Sequence, residues 1–472
     1  EVARKMWKHV WSGFDETETP ILSVTNGVHV PSWIAEPMRN LFEERCGIDF
    51  QGGALDDRAL WERAAGIPDG ALWDAHCRLK EDLTAFLGKK MAENYEREGL
   101  SPRLIRKKID SLNPKALIIG FGRRFAAYKR ASLIFNDPDR LQAILGDEKR
   151  PVQILFAGKA HPNDGEGNGI LKEIYGYTMD ERFIDRVFFL ENYDMHMART
   201  VVQGVDVWLN NPLRPQEASG TSGMKVVMNG GLNFSVLDGW WCEGYDAGTG
   251  WAIGEGKEYA NREAQDLADS AEIYRILEEE IVPKYYERSG EGLPVHWIRM
   301  MKTSISTLAP RFGSQRMLRE YLERMYLPAA KRSHRLNADG YAGAKALADW
   351  KAKIASRFST VHILSFQARG LRGDSLNFGQ AFQVEAAVAL GRLSREEVRA
   401  ELVVAAVDES KRPVRPEIVP MTFSGDGSRE GVARYAGAYQ ATRAGRFVYG
   451  IRVLPSHPDL IRYQELGLVH WG

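Results

Sequence analysis

The sequence predicts an α/β protein: a doubly wound, Rossmann-like parallel sheet, then a helical segment, then an antiparallel β-sandwich. Between residues 21 and 254, short apolar runs alternate with stretches of helical period, which is typical of a parallel sheet covered by helices. Residues 256–336 keep only the helical period. From residue 357 onward apolar and polar residues alternate, as in half-buried antiparallel strands. A chain of 472 residues has room for about three domains.

Six apolar runs predict the strands of the parallel sheet: residues 21–25, 116–121, 152–157, 186–190, 205–209 and 232–236. Residues 57–108 show only helical patterns and predict an all-helical insertion. Ser314 is predicted to be the N-cap of the last helix, and Pro328 to follow its end. We therefore divide the chain into a tail (1–20), an α/β lobe (21–334), a linker (335–356) and a sandwich (357–472).

The composition excludes several classes of function. Lys and Arg total 63, and so do Asp and Glu, so the overall charge does not favour nucleic acid or an anionic membrane as partner. No apolar run approaches the ~20 residues of a membrane span. The three cysteines form no disulfide or metal pattern, which favours a cytoplasmic location, and we predict no metal site.

The segment Glu217–Gly230, EASGTSGMKVVMNG, places small hydroxyl and glycine residues before a short apolar helix. Backbone N–H groups in such a loop can bind an anion. Lys225 stands on an apolar background, where desolvation favours the neutral amine that reacts with aldehydes. A phosphate-bearing aldehyde cofactor, such as pyridoxal 5′-phosphate, fits both features. A glycine-rich turn followed by a surface lysine fits the spacing equally, and the sequence leaves both interpretations open.

The segment Gly120–Ala131, GFGRRFAAYKRA, follows a predicted strand directly. It brings four cations, Arg123, Arg124, Lys129 and Arg130, to the end of the sheet where open α/β proteins bind ligands. Such a cluster suits one or two phosphates. The alternative is a solvated helix start paired to acidic neighbours. The segment is not a dinucleotide fingerprint, because Phe125 replaces the third glycine.

Five stretches carry a resemblance to a known family: VTNGVHVPSWI (24–34), GRRFAAYKRA (122–131), FAGKAHP (156–162), VFFLENY (187–193) and EASGTSGMK (217–225). Their order and spacing resemble the α-glucan (glycogen, starch, maltodextrin) phosphorylases, of the bacterial type with a short core. The resemblance implies the second lobe of a two-lobed GT-B glycosyltransferase fold. It also implies phosphorolysis of α-1,4-glucans by inorganic phosphate with pyridoxal 5′-phosphate, releasing α-D-glucose 1-phosphate with retained configuration.

Residue by residue, the resemblance implies the following roles. Lys225 matches the lysine that holds the cofactor as a Schiff base. Thr221, Ser222 and Arg123 match contacts to the cofactor phosphate, and Trp33 and Tyr193 match walls of the cofactor pocket. Arg124 and Lys129 match the cations that hold the substrate phosphate. Asn26, Glu217, Ser219 and Gly220 match contacts to the terminal glucose, to which we add His29, beside a stretch that differs from the family's other branch. Glu217 would orient hydroxyls and not act as the acid, so no carboxylate pair is needed.

The family's first lobe precedes the VTNG stretch, whereas only about 20 residues precede it here. We therefore expect this chain to be the carboxyl-terminal lobe of a longer enzyme, with little or no phosphorolysis alone. Two other functions remain: a glycogen-synthase-like transferase using nucleotide sugars, and a non-enzymatic glucan-binding protein whose sandwich presents Tyr435 and Tyr439 to sugars. The sequence leaves homo-oligomer formation and regulation by effectors open.

Overall fold

The computed structural model describes residues 2–257, 259–371 and 375–472. The chain divides into two compact units. One unit comprises residues 24–322, and the other combines residues 2–23 with residues 323–472.

A six-stranded parallel sheet forms the centre of the first unit. Its strands are β1 (Leu117–Gly122), β2 (Val152–Ala157), β3 (Val187–Leu190), β4 (Val207–Asn210), β5 (Leu232–Val236) and β6 (Gly250–Ile253), in the order β3-β2-β1-β4-β5-β6. All strand residues except one in β6 are buried, as expected for a sheet covered on both faces. The order reverses between β1 and β4, which is the doubly wound arrangement. The structure thus confirms the prediction of a doubly wound α/β sheet.

Five of the six predicted strands are confirmed within two residues, and the prediction for residues 21–25 is wrong. These residues have no regular structure, because the chain there finds no strand to pair with. The one backbone bridge nearby joins Val28 to Gly313. The sequence did not predict β6, whose four residues are too short a run to stand out.

Helices cover the sheet. Those of the first unit are Val30–Trp33, Glu36–Cys46, Arg58–Glu62, Asp69–Arg97, Pro102–Asp110, Pro138–Leu145, Gly165–Met179, Met195–Gly204, Ser222–Val227, Trp241–Gly244, Arg262–Ile276, Val282–Tyr286, Val295–Arg311 and Ser314–Tyr321. Shorter 3₁₀ turns lie at Arg63–Gly66, Ala127–Lys129 and Ala131–Phe135, and π-helical turns at Leu277–Ile281 and Leu322–Tyr326. Residues 57–108, predicted as an all-helical insertion, form the helices Arg58–Glu62 and Asp69–Arg97, the 3₁₀ turn Arg63–Gly66 and most of the helix Pro102–Asp110. No helix in the part of the chain that the structure describes is long and apolar enough to cross a membrane.

Pro328 does not end the last predicted helix, and Ser314 is its first residue rather than its cap. After the π-helical turn Leu322–Tyr326, the chain continues as the helix Leu327–Arg357. Pro328 lies in the first turn of this helix, directly after the π-helical turn. The linker predicted for 335–356 is therefore wrong: these residues are helical apart from a kink at residues 338–341.

The second unit contains the predicted antiparallel sandwich. Its strands are β7 (His362–Arg369), β8 (Ala381–Ala389), β9 (Val398–Val407), β10 (Pro413–Pro420), β11 (Thr422–Asp426), β12 (Val432–Gln440), β13 (Phe447–Pro455) and β14 (His470–Trp471). They form two four-stranded sheets, β10-β9-β13-β14 and β11-β12-β8-β7. Short turns of helix lie at Phe358–Thr360, Arg395–Glu397 and Tyr463–Leu466. Val384 and Val388 of one sheet share a core with Leu402 and Ile451 of the other.

Two details of this unit differ from expectation. Tyr435 and Tyr439 are buried, only 4% and 6% exposed, so their rings are unavailable to sugars. Residues 2–23 form the helix Val2–Trp7 and the 3₁₀ turns Lys8–Trp11 and Glu16–Glu18, and they lie against the sandwich. The indoles of Trp11 and Trp471 donate across this contact to the carbonyls of Gln464 and Gly13.

A buried ion cluster fixes this contact. Arg452 is fully buried and donates to Glu401 from Nε, at 2.8 Å, and to Glu18 from Nη1, at 2.9 Å. Arg399 also pairs with Glu401, at 2.6 Å. Two buried carboxylates therefore depend on one central guanidinium.

We predict that Arg452→Met lowers the free energy of unfolding of this unit by about 3–5 kcal/mol, because it leaves the buried carboxylate of Glu18 without its cation and that of Glu401 with Arg399 alone. Urea unfolding of the chain, followed by the fluorescence of Trp11 and Trp471 in variants that keep only these tryptophans, measures the change. Arg369→Met is the matched control: its pair with Glu385 is more than half exposed and contributes at most about 1 kcal/mol. Equal effects of both substitutions would contradict the prediction.

Candidate active site

The site lies where the strand order of the parallel sheet reverses. The carboxyl ends of β1 and β4 are neighbours at this point, and the connections that follow them run in opposite directions. Open α/β sheets bind ligands in the resulting crevice. Arg123 and Arg124 follow β1, and the loop that leads to Lys225 follows β4. The topology therefore brings the two chemically distinctive sequence segments to one edge of the sheet.

Arg123, Lys129 and Glu217 form a buried charge cluster at this edge. Arg123 Nη2 lies 2.5 Å from Glu217 Oε2, and Lys129 Nζ pairs with the same oxygen. All three side chains are less than a tenth exposed. Two cations thus share one carboxylate, which leaves one positive charge in excess.

Arg123 has unused hydrogen-bonding capacity. Its Nε and Nη1 are buried and have no hydrogen-bond partner. Burial lowers the pKa of Arg123, although Glu217 opposes this effect. Buried polar atoms in native proteins nearly always have partners, so an unpaired, buried guanidinium edge points to an absent anionic ligand.

Arg130, the fourth cation of this segment, is not available for a ligand. Its guanidinium contacts Asp269 at 2.6 Å and Asp266 at 2.8 Å. It also donates to the carbonyls of Asn211 and Pro212. Arg130 is fully paired with groups of the fold. Of the four cations predicted to bind a ligand, Arg123, Arg124 and Lys129 therefore remain.

Lys225 lies within the short helix Ser222–Val227, and its amine faces an aromatic ring. Nζ is 3.8 Å from the centroid of the Trp33 ring. Among the described residues, no carboxylate lies within ion-pair distance of this amine. Burial lowers the pKa of Lys225. The structure therefore gives the amine the apolar setting that the sequence predicts, and that setting favours the neutral, nucleophilic form.

Asn229 links Lys225 and Trp33 by hydrogen bonds. Its side-chain amide donates to the carbonyls of both residues, at 3.0 Å in each case. Its Oδ1 accepts from the backbone N–H of Ala35 at 2.8 Å. Gly230 follows with a φ of +86°, and a Cβ there would lie 2.6 Å from Met301 Cε. The hydrogen bonds therefore account for Asn229, and the positive φ accounts for Gly230.

The loop before Lys225 presents hydroxyl and backbone groups. Gly220 has a φ of +76°, and the carbonyl of Ser219 accepts from Trp240 N at 2.8 Å. Ser222 Oγ accepts from the indole of Trp208 at 3.1 Å, so its own O–H remains free to donate. Thr221 immediately precedes the helix, and its side chain makes no capping hydrogen bond. The loop has donors to offer an anion.

A second carboxylate lies near Glu217 but serves the backbone. Asp238 accepts from the N–H groups of Glu217, at 2.8 Å, and Gly239, at 2.9 Å. Burial raises the pKa of Asp238. Glu217 and Asp238 are thus both bound to neighbouring groups of the fold, and the two do not form a free acid–base pair.

Tyr193 and Arg124 line one open cleft of about 360 Å³, with Lys159, Ala160, His161 and Pro162. A Cβ on Gly122 would lie 2.9 Å from the Tyr193 hydroxyl, so glycine is needed there for the ring to approach. Burial raises the pKa of Tyr193, which keeps the hydroxyl neutral. The sequence did not single out Lys159 or His161, although both lie in one of the five matching stretches.

Asn26 and His29 are predicted site residues whose hydrogen bonds join them to residues outside the predicted site. Both are exposed. The Asn26 carbonyl accepts from Arg316 at 3.1 Å, and His29 Nδ1 lies 2.8 Å from Ser32 Oγ. Neither contacts another predicted site residue in these hydrogen bonds.

Two family models match the chain: "Carbohydrate phosphorylase" over residues 85–247 and "Glycogen phosphorylase C-terminal domain" over residues 359–472. The maltodextrin phosphorylase of Thermococcus litoralis is 37% identical over 473 residues, which cover 100% of this chain and 54% of that protein. The glycogen phosphorylase of Mycobacterium bovis is 36% identical over 468 residues, 99% of this chain and 54% of that protein.

The glycogen phosphorylase of Aquifex aeolicus is 47% identical over 326 residues, 69% of this chain and 46% of that protein. The chain spans about half the length of the curated relatives it matches. The two family models cover separate parts of the chain, and the relatives named maltodextrin or glycogen phosphorylase span both parts. This chain therefore belongs to the α-glucan phosphorylase family.

Proposed function

We propose that this chain supplies the cofactor-binding lobe of an α-glucan phosphorylase with a GT-B fold. The proposed reaction is the phosphorolysis of α-1,4-glucans by inorganic phosphate, which releases α-D-glucose 1-phosphate with retained configuration. The observation that carries the proposal is the amine of Lys225, which lies against Trp33 with no carboxylate partner among the described residues. A nucleotide-sugar transferase has no use for such an amine, so this observation argues against that alternative.

The residues present fit pyridoxal 5′-phosphate. Lys225 would hold its aldehyde, and Arg123, with two unpaired nitrogens, would hold its phosphate together with Thr221 and Ser222. Trp33 would form one wall of the cofactor pocket, and Tyr193 another. When bound, the cofactor supplies a phosphate group that can exchange a proton with the substrate phosphate. The protein's task is to neutralise the resulting concentration of negative charge.

On the substrate side, Arg124 and Lys129 would hold inorganic phosphate. Arg124 is exposed in the cleft and Lys129 is buried, so together they reach from the solvent to the interior of the site. Glu217, Ser219 and Gly220 would contact the terminal glucose, with Asn26 and His29 at the more exposed side. Glu217 would orient hydroxyl groups, because a phosphorolytic reaction needs no carboxylate as acid.

The proposed partners are thus an α-1,4-glucan and inorganic phosphate. The numbers of acidic and basic residues are equal, so the overall charge gives no reason to propose nucleic acid or membrane lipid as a further partner. We place the enzyme in the cytoplasm, because its three cysteines are all free thiols.

The direct test of the function is an assay of the longest natural form of the protein with maltoheptaose and phosphate. We expect release of glucose 1-phosphate in the intact protein and its loss, by at least about 10³-fold, in Lys225→Ala, because the cofactor then has no covalent anchor. Lys107→Ala, at an exposed lysine of the helix Pro102–Asp110, should leave the rate unchanged. Release of free glucose without phosphate would indicate a hydrolase and contradict the proposal.

A second prediction concerns the site of cofactor attachment. Borohydride reduction of the protein with pyridoxal 5′-phosphate should add one pyridoxyl group at Lys225, since this amine is desolvated. Mass mapping of peptides locates the group, and Lys107 serves as the exposed comparison within the same digest. An unmodified Lys225 in a protein that still extends glucans from a nucleotide sugar would favour the transferase.

A third prediction follows from the lowered pKa of Lys225. Because burial lowers the pKa of Lys225, the neutral amine should persist to a lower pH than in exposed lysines, and the rate of adduct formation should reach half its maximum below pH 10.5. In the window between this midpoint and 10.5, the folded chain binds fewer protons at Lys225 than the unfolded chain, and stability rises with pH. Absorbance of the adduct between pH 6 and 10 measures the midpoint. A midpoint equal to that of Lys107 would contradict the burial argument.

A fourth prediction tests the phosphate contact of Arg123. Arg123→Met should weaken binding of pyridoxal 5′-phosphate about tenfold to hundredfold, the loss expected for hydrogen bonds to a charged group. Binding of pyridoxal, which lacks the phosphate, should hardly change. Arg140→Met, at a largely exposed pair with Glu278, is the control and should affect neither ligand. An equal loss for both ligands would mean that Arg123 supports the fold instead.

A further inference from the structure

The site rests on a buried charged network that none of the assigned roles uses. His76, Lys80 and Asp206 are all fully buried. His76 and Lys80 lie in the long helix Asp69–Arg97, and Asp206 lies just before β4. The network joins the helical insertion to the strand whose end carries the site.

Both ring nitrogens of His76 face acceptors. Nδ1 lies 2.9 Å from the backbone carbonyl oxygen of Asn229, and Nε2 lies 3.0 Å from Asp206 Oδ1. A carbonyl oxygen and a carboxylate oxygen can only accept. A neutral imidazole has one N–H group and could satisfy only one of these contacts, whereas an imidazolium satisfies both.

Asp206 is ionised. Its Oδ2 lies 2.7 Å from Lys80 Nζ and accepts from the backbone N–H of Ile118 at 2.8 Å. Burial alone would raise the pKa of this carboxyl, but Lys80 and His76 hold it below its ordinary value. The carboxylate therefore has no proton to give to His76 Nε2.

Tyr285 and Cys77, which lie beside the network, carry no negative charge, whereas the carboxyls of Asp74 and Glu81 on the same helix act on Cys77. Burial keeps the pKa of Tyr285 well above its ordinary value, so its hydroxyl beside Lys80 is neutral. The thiol of Cys77 has its pKa raised to about 11, mainly by burial. Arg288 lies over the Tyr285 ring, 5.8 Å from its centroid. Lys80 and His76 are thus the two cations that share Asp206.

We propose that His76 is a positioning residue, with a proton on each ring nitrogen, which holds Lys225 and Trp33 in place through Asn229. The backbone of Asn229 receives one imidazolium N–H, and its side chain holds the carbonyls of Trp33 and Lys225. A charged donor makes a stronger hydrogen bond than a neutral one, so the geometry of the lysine depends on the charge of His76. In this way the helical insertion sets the position of the cofactor lysine; the relevance to catalysis rests on the proposed function.

The charge state can be measured in the unmodified protein. His76 is the one buried histidine among the described residues, which include all ten of the chain. Its ring N–H protons should therefore exchange most slowly with water. With ¹⁵N-labelled histidine, we expect one ring at pH 7.5 in which both nitrogens are protonated and protected, and its absence in His76→Gln. A neutral His76 ring would overturn the proposal, and this measurement needs no variant to fold.

The positioning role can be measured without any cofactor. Trace acetylation of Lys225 at a series of pH values gives the midpoint at which the amine becomes neutral. In His76→Gln, Trp33 should cover the amine less well, so the midpoint should rise by about half a pH unit or more toward that of Lys107. His296→Gln, at a histidine that is 56% exposed, is the matched control and should leave the midpoint unchanged.

The two proposals can fail separately. An unchanged midpoint in a folded His76→Gln would overturn the positioning role, whatever the protein catalyses. If pyridoxal 5′-phosphate failed to label Lys225 while the midpoint still rose in His76→Gln, the proposed function would fail and the positioning role would stand.

Discussion

The ionised carboxylate of Asp206, buried where the sheet reverses its direction, is the constraint on which the first unit depends. It accepts from the backbone of β1 through Ile118, and it pairs with two cations of the helix Asp69–Arg97. A buried carboxylate is tolerated only when such partners surround it, so strand and helix cannot move apart without exposing an unpaired charge. The same contacts fix the start of β4, and therefore the loop that leads from its end to Lys225.

The segment after β1 contains two arginines that have different roles in the molecule. Arg123 and Arg130 are seven positions apart, yet only Arg130 has all its charge compensated by carboxylates and carbonyls of the fold. Arg123 keeps two nitrogens without partners. Two unpaired nitrogens on one buried guanidinium fit an anionic ligand. In this Arg123 also differs from Arg399 and Arg443, each of which leaves only its Nε unpaired.

The sequence predicted the elements whose signal is local. Residues 152–157 and 232–236 are buried strands with continuous apolar runs, and the structure confirms both to the residue. The stretch 21–25 has the same apolar character but no neighbour to pair with, and pairing is a property of the whole fold. Likewise Tyr435 follows Arg434 in β12, and the sequence does not tell which of the two side chains faces solvent; the packing of the two sheets buries Tyr435.

The candidate site was predictable to a similar degree. Lys225 and its apolar neighbours are adjacent in sequence, so its desolvated setting could be inferred. His76 and Asp206 are 130 positions apart, and nothing in either segment indicates that they meet. Glu217 could be assigned to a sugar by resemblance, but its pairing with Arg123 and Lys129 required the structure.

That pairing has a consequence for how the proposed substrates bind. In the chain alone, one carboxylate pairs with two cations that the proposed function assigns to phosphates. An arriving phosphate carries more negative charge and more acceptor oxygens than a carboxylate, so it competes for the same N–H groups. If the cations turned to phosphate as proposed, Glu217 would be released to accept hydrogen bonds from sugar hydroxyls. The binding of anion and of glucose would then be coupled through a single side chain, and by linkage each would strengthen the other to the same extent.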